Sequence, residues 1–374
     1  MIHRFVKKEI KQYLIPGKVV CLFGARRTGK TFLMKQIEEE LPNEKILSVH
    51  GEDIDVVEVF SSSRSSILEK AMKAYDYIFI DEAQKIPNIG QNLKLIVDLF
   101  PEKKVFVTGS SSFDLKNQIG EPLTGRSRFL YLFPVAQLEL NETFIESKVN
   151  IETRLIYGSY PEIINSKTED EKKANLESIK NGYLLKDVLE LDNLKDSLFI
   201  FNLLRLIAFQ IGNNISYSEL ASNLKVNTRT VQRYLNILEK VYIIFSLPGY
   251  SRNLRKEYAK TPRYYFYDNG IRNAVISNFN RINLRDDIGK LWENHIISER
   301  IKKNHYYNIQ TNQFFWRTYD QQEIDYVEER EGGLFGYEIK WNLKKHLAPK
   351  IFLETYKNSK WTVINKENYL DFIC

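Results

Sequence analysis

The 374-residue sequence predicts an α/β protein, with a parallel-sheet core in its first third followed by helices, a helix-turn-helix and a smaller α/β domain. Three observations predict this. Residues 18–37, KVVCLFGARRTGKTFLMKQI, place an apolar strand, a glycine-rich loop and a helix in direct succession. Further short apolar runs, ILSV, YIFIDE and VFVTGSSS, read as additional strands after it. Residues 323–340, EIDYVEEREGGLFGYEIK, read as two strands joined by a glycine turn, far from the first sheet in the chain.

The composition, 43% hydrophobic and 27% charged, suits a chain that buries several cores without a disulfide framework. Cys21 lies inside an apolar strand and Cys374 is the last residue, so neither paired cysteines nor a zinc motif is expected. The N-terminal MIHRFVKKEIKQYL lacks the apolar run of a signal peptide, and no stretch approaches the roughly 18 apolar residues of a membrane span. A cytoplasmic protein with no membrane partner is therefore expected. The net charge of +6 permits a nucleic-acid partner without requiring one.

In the first third, Val19–Phe23 reads as a buried parallel strand, and Phe32, Leu33, Met34 and Ile37 as the apolar face of the following helix. Between them, GARRTGKT fits G-x-x-x-x-G-K-[ST] at every fixed position. Residues Gly24, Ala25, Arg26, Arg27, Thr28, Gly29, Lys30, Thr31 and Phe32 are the expected phosphate-binding set. The glycines let backbone N–H groups face phosphate oxygens, and the helix N-terminus adds partial positive charge. Lys30 is placed for the β- and γ-phosphates and the Thr31 hydroxyl for a magnesium shell. The strand YIFIDE ends in two carboxylates: Asp81 suits magnesium, and Glu82 suits orienting or deprotonating an attacking water. At the end of VFVTGSSS, Ser110 or Thr108 is a candidate γ-phosphate sensor, although Gly-Ser-Ser is also ordinary turn chemistry.

RRTGKT, IDEAQ, TGSSS, LTGRSRFLYLFP and YGSYPE together resemble the prokaryotic AAA-type P-loop ATPases that carry a C-terminal region of unknown function. The resemblance implies a parallel sheet with the phosphate-loop strand central, and ATP with Mg2+ as cofactors. In LTGRSR, Arg126 is the first candidate and Arg128 the second for an arginine acting at the γ-phosphate in its own or a neighbouring subunit; a surface loop is the alternative. An arginine in trans would require a homo-oligomer.

Residues 141–210 read as helices, the place of a helical lid, interrupted by the loop YGSYP, to which no chemistry is assigned. In ISYSELASNLKVNTRTVQRYLNILEKVYIIF, Leu220 and Leu224 stripe one helix, and Val231, Leu235 and Leu238 a second that begins near Thr228. Arg229, Thr230, Gln232, Arg233 and Asn236 fall elsewhere on the second helix and suit phosphates and base edges. The following strand, basic loop and strand complete a winged helix, with Arg252, Arg255, Lys256, Lys260 and Arg263 in or beside the wing. This element serves either DNA contact or purely structural spacing.

In the last hundred residues, a two-residue turn at Glu331-Gly332 sets Asp325 opposite Glu338 with Lys340 on the same face, a turn at Gly332-Gly333 pairs Asp325 with Lys340 and keeps all three on one face, and a three-residue turn breaks the arrangement. Two carboxylates there suit a divalent cation, Lys340 would position its water, and helical Glu293 would add a ligand. Cross-strand salt bridges are the alternative. The pattern is similar to the restriction-endonuclease superfamily, which implies such a fold here. The expected domains are therefore 1–140 (ATPase core), 141–210 (helical lid or linker), 211–267 (winged helix) and 268–374 (restriction-endonuclease-like). The function expected is an ATP-hydrolysing protein coupled to DNA; the alternatives are an ATP-dependent nuclease and a switch with a protein partner.

Overall fold

The computed structural model describes residues 2–110, 123–184, 197–251, 261–318, 322–342 and 347–374. The chain divides into two compact units, Met1–Phe133 with Lys240–Tyr242, and Pro134–Glu239 with Ile243–Cys374. The expected divisions at 210 and 267 both lie inside the second unit.

The first unit is built on a five-stranded sheet of order β2-β3-β4-β1-β5, with every pairing parallel. Its strands are β1 (Val19–Phe23), β2 (Ile46–His50), β3 (Tyr77–Asp81), β4 (Lys104–Gly109) and β5 (Ser127–Tyr131). All residues of β1 and β3 are buried, as unbroken apolar runs covered on both faces should be. The phosphate-loop strand is interior but not central: β4 holds the middle, and β1 lies one place in from the β5 edge. The helix Lys30–Glu39 buries Leu33, Met34 and Ile37, whereas Phe32 is 57% exposed. At 100° per residue the three buried side chains form one stripe and Phe32 falls nearly opposite it, so this residue does not join the core face.

Because the strands run parallel, the segments that follow β1, β3 and β4 emerge at one edge of the sheet. That edge gathers the glycine loop, the Asp81-Glu82 pair and Thr108–Ser110.

The second unit begins with the helices Phe144–Tyr157, Pro161–Asn165, Glu169–Ile179 and Ser197–Phe209. Thr143 and Thr168 start the first and third through capping boxes with Glu146 and Glu171. The YGSYP loop is a packing element: the Ser159 N–H donates to Asp268 at 2.6 Å, and the Asn273 amide donates to the Leu155 and Ile156 carbonyls at 3.0 and 2.8 Å. Residues 141–210 are thereby tied to 268–273, which explains why no compact boundary separates them.

Next come the helices Tyr217–Leu224 and Thr228–Lys240 and a two-stranded antiparallel ribbon, β6 (Ile244–Leu247) with β7 (Arg263–Phe266). After the helices Asn269–Val275 and Ile288–Tyr306, a four-stranded mixed sheet of order β11-β10-β9-β8 completes the unit. Its strands are β8 (Asn312–Arg317), β9 (Glu323–Arg330), β10 (Gly333–Ile339) and β11 (Ser359–Ile364). β10 pairs antiparallel with β9 and parallel with β11. Among the described residues, no helix is long and apolar enough to cross a membrane.

Candidate functional site

The loop after β1 is shaped by two glycines. A Cβ on Gly24 would lie 2.1 Å from the Leu132 carbonyl oxygen, and Gly29 holds φ +97° at the start of the helix. The Lys30 ammonium, 4% exposed, folds back to donate to the Gly24 and Ala25 carbonyls, both at 2.9 Å. The Thr28 hydroxyl closes the loop on the Ala25 carbonyl at 2.8 Å. Arg26 and Arg27 are half-buried, Arg27 with φ +60°.

The threonine after the lysine reaches the next strand. The Thr31 hydroxyl donates to Asp81 Oδ2 at 2.6 Å, while Asp81 Oδ1 accepts from the Thr108 hydroxyl and, at 3.2 Å, from the Glu82 N–H. Two hard oxygen ligands, from Thr31 and Asp81, thus stand side by side beneath the loop, a donor set that fits magnesium. Glu82 sits at φ +50° just past the strand, and its carboxylate accepts from the Gln84 amide, which also donates to Ser110 Oγ at 3.0 Å. Sequence reasoning made Thr108 a possible phosphate sensor; the structure engages it with Asp81 and leaves Ser110 beside the Glu82 partner.

The second constellation lies in the C-terminal sheet. Glu331 and Gly332 take φ +52° and +74° in a two-residue turn that pairs Gly333 with Arg330 and Tyr337 with Tyr326, so Asp325 and Glu338 are the next pair outward. Lys340 Nζ lies 3.2 Å from Asp325 and 2.7 Å from Glu338, and the Ile339 N–H donates to Asp325 at 2.9 Å. Glu293, on the helix Ile288–Tyr306, accepts from the Tyr265 hydroxyl at 2.7 Å and from Lys290 at 3.2 Å. Burial, then Asp325, pushes the Glu293 carboxyl upward, and the same two causes push Glu338 up to about 7. Burial works against the Lys340 charge, but Asp325 and Glu338 outweigh it and raise its pKa.

Arg263, expected with the surface cations, is 3% exposed instead. Its guanidinium donates to Glu323 at 2.7 Å and to Asn214 at 3.1 Å and lies over the Phe315 ring. Among the described residues, no group of three or more His, Cys, Asp or Glu is arranged to hold a metal ion. Lys340 instead bridges Asp325 and Glu338, and Tyr265 and Lys290 engage Glu293.

On the helix Thr228–Lys240, Val231, Leu235 and Leu238 are buried as expected, and Arg229, Gln232, Arg233 and Asn236 are exposed. Thr230 departs from this set. Its N–H and hydroxyl both donate to Asn227 Oδ1, at 2.8 and 3.0 Å, so it belongs to the helix cap and not to the exposed face. Arg252, Arg255 and Lys256 lie outside the described residues.

Residues 16–141 match the family model of an AAA domain. Family models described as Domain of unknown function (DUF8612) and Domain of unknown function (DUF4143) match residues 148–282 and 288–370. An uncharacterized protein of Methanocaldococcus jannaschii is 25% identical over 66% of this chain and 60% of its own length. An uncharacterized protein of Mycobacterium tuberculosis is 24% identical over 89% of this chain and 72% of its own. The first of these matches thus spans less than two thirds of its relative. The Walker-type ATPase of Pyrococcus abyssi, a solved structure, is 16% identical over 73% of this chain and 94% of its own, with TM-score 0.47.

Within the first unit, both arginine candidates sit away from the loop. Arg126 immediately precedes β5, its carbonyl accepts from the Val19 N–H, and its side chain pairs with Asp98. Val19 pairs with Ser127 and Gly24 follows the end of β1, so Arg126 lies at the opposite end of the strand, six register steps or roughly 20 Å from Gly24 at about 3.3 Å per residue. Arg128, two residues along and paired with Val20, binds Glu9 at 2.6 Å and stacks over Tyr13. Both side chains are thus engaged with partners away from the loop. Two residues beside the loop carry no signal in the sequence that assigns them a role: Gln84 lies within IDEAQ, and Arg4, which donates to the Thr28 carbonyl at 2.6 Å, has its partner 24 residues away.

Proposed function

We propose that the protein binds ATP with magnesium at the loop Gly24–Thr31, hydrolyses it, and uses its second unit to engage DNA. The observation that carries the nucleotide reading is the 2.6 Å bond between the Thr31 hydroxyl and Asp81, which brings together the two oxygen ligands that loop and strand supply. In this reading the N–H groups from Ala25 to Thr31 cradle the phosphates and Lys30 leaves the Gly24 and Ala25 carbonyls for the β- and γ-phosphates. Thr31 and Asp81 would hold the magnesium, which would supply positive charge against the phosphate oxygens. Glu82 orients or deprotonates the attacking water, and Gln84 and Ser110 hold its carboxylate in place. A γ-phosphate arginine, if the reaction uses Arg126 or Arg128, comes from a neighbouring copy of the chain.

DNA engagement is supported by the helix pair Tyr217–Leu224 and Thr228–Lys240, with Arg229, Gln232, Arg233 and Asn236 exposed on the second helix, and by the ribbon in the wing position. A second reading, an ATP-dependent nuclease, is favoured by the hairpin register that sets Asp325, Glu338 and Lys340 on one face. In that case a metal would be held by Asp325 and Glu338, with Lys340 turned to its water. Purified protein incubated with magnesium, ATP and mixed DNA substrates tests all of this, scored for phosphate release, DNA retention and cleavage. Absence of phosphate release overturns the ATPase reading; retention without cleavage selects the first form over the nuclease; neither retention nor cleavage leaves a protein partner.

A further inference from the structure

Arg4 is 6% exposed, and its guanidinium fork spans two backbone carbonyls: Nη1 donates to Thr28 and Nη2 to Phe133, each at 2.6 Å. Thr28 lies at the tip of the phosphate loop, and Phe133 follows β5 by two residues. One side chain therefore pins the loop tip to the edge of the sheet. The Thr28 carbonyl and the Gly29 N–H belong to the same peptide. A charge-assisted hydrogen bond to that oxygen draws electron density away from the nitrogen and strengthens the N–H as a donor. The Gly29 N–H is one of those that a phosphate on this loop would meet.

The rest of the N-terminal segment grips the same element from its other end. In the helix Val6–Tyr13, Lys7 and Lys11 pair with Glu40 at 2.5 and 2.8 Å, immediately past the helix Lys30–Glu39 that the loop begins. These exposed pairs contribute little energy and place the segment beside the far end of the loop helix.

We propose that Arg4 is a positioning residue of the nucleotide site, holding the phosphate loop in its binding shape and polarising the Thr28–Gly29 peptide toward the phosphates. The inference rests on the nucleotide-binding reading of the loop, and it makes the N-terminal segment a working part of that site. The test uses the full chain with Arg4→Gln, Arg4→Lys and the control Lys30→Ala. MgATP affinity is measured by calorimetry, hydrolysis at saturating ATP by phosphate release, and stability of the ligand-free protein by thermal melting. Arg4→Gln is expected to weaken MgATP binding by about ten-fold or more, the worth of a charge-assisted bond, while kcat at saturation stays within about two-fold. Arg4→Lys keeps the charge but cannot span both carbonyls, so its affinity should fall between Gln and wild type.

Wild-type affinity in both variants overturns the proposal. So does a fall in melting temperature and kcat together with unchanged affinity, the signature of a packing role alone. If Arg4→Gln does not fold, Arg4→Lys carries the comparison. Absence of MgATP binding by the wild-type protein overturns the nucleotide reading itself; loss only in Lys30→Ala, with Arg4 variants unaffected, overturns the role of Arg4 and leaves that reading standing.

Discussion

Lys30 and Glu82 separate binding from chemistry. Lys30 is held over the Gly24 and Ala25 carbonyls, from which its ammonium reaches the β- and γ-phosphates in the proposed reading, so Lys30→Ala should abolish measurable MgATP binding in a calorimetric titration. Glu82→Gln retains the shape and the Gln84 contact but removes the base; binding should persist while phosphate release falls by roughly a hundred-fold or more. Full turnover in that variant would remove Glu82 from the mechanism. At this scale the sequence was most informative where residues act within a few positions of one another, as in GARRTGKT and the Asp81-Glu82 pair. It was least informative for Arg126, whose glycine-arginine step suggested a phosphate contact that the strand register places at the wrong end of β1.

Two elements of the second unit carry their own tests. In the helix Thr228–Lys240, Arg229 and Arg233 face solvent, and neutralising both should weaken DNA binding and lower the slope of log K against log salt by about 2, with the fold unchanged by circular dichroism. An unaltered slope would remove the helix from the interface. In the β9–β10 hairpin, Glu331 occupies a left-handed position where asparagine is more easily accommodated, so Glu331→Asn should stabilise the protein by about 0.5–1 kcal/mol in a denaturant melt. The hairpin was legible because a two-residue turn and a period of two determine which side chains share a face. Strand β11 was not, since its parallel pairing with β10 joins segments separated by the helix Lys350–Thr355. The cap role of Thr230 was equally hidden, because a helix surface read by residue type does not reveal which hydroxyl Asn227 will claim.

For the whole molecule, pH stability should reflect His295, which lies fully buried beside Glu299 and Lys302. Burial, the largest cause, lowers its pKa from 6.5 to about 4. The folded protein therefore keeps the imidazole neutral while the unfolded chain takes up a proton. Stability is fully present above pH 6.5 and declines as pH falls from there toward 4, by about 2 kcal/mol between pH 7 and 5. His295→Gln should flatten that part of the profile in thermal melts across the range; an unchanged slope would assign the pH dependence to other groups.

By itself the sequence determined the phosphate-loop motif, the strand-end carboxylates, the spacing of the two helices near residues 217–240 and the shared face of Asp325, Glu338 and Lys340 for either two-residue turn, all features whose partners are near in the chain or related by simple periodicity; the structure chose the turn at Glu331-Gly332. Only the tertiary structure decided that Arg4 reaches Thr28, that Arg263 is buried against Glu323, and that residues 141–210 are tied to Asp268 and Asn273. Those contacts depend on how distant segments pack, and a guanidinium or a carboxylate has the same local pattern whether its partner is solvent or a carbonyl a hundred residues away.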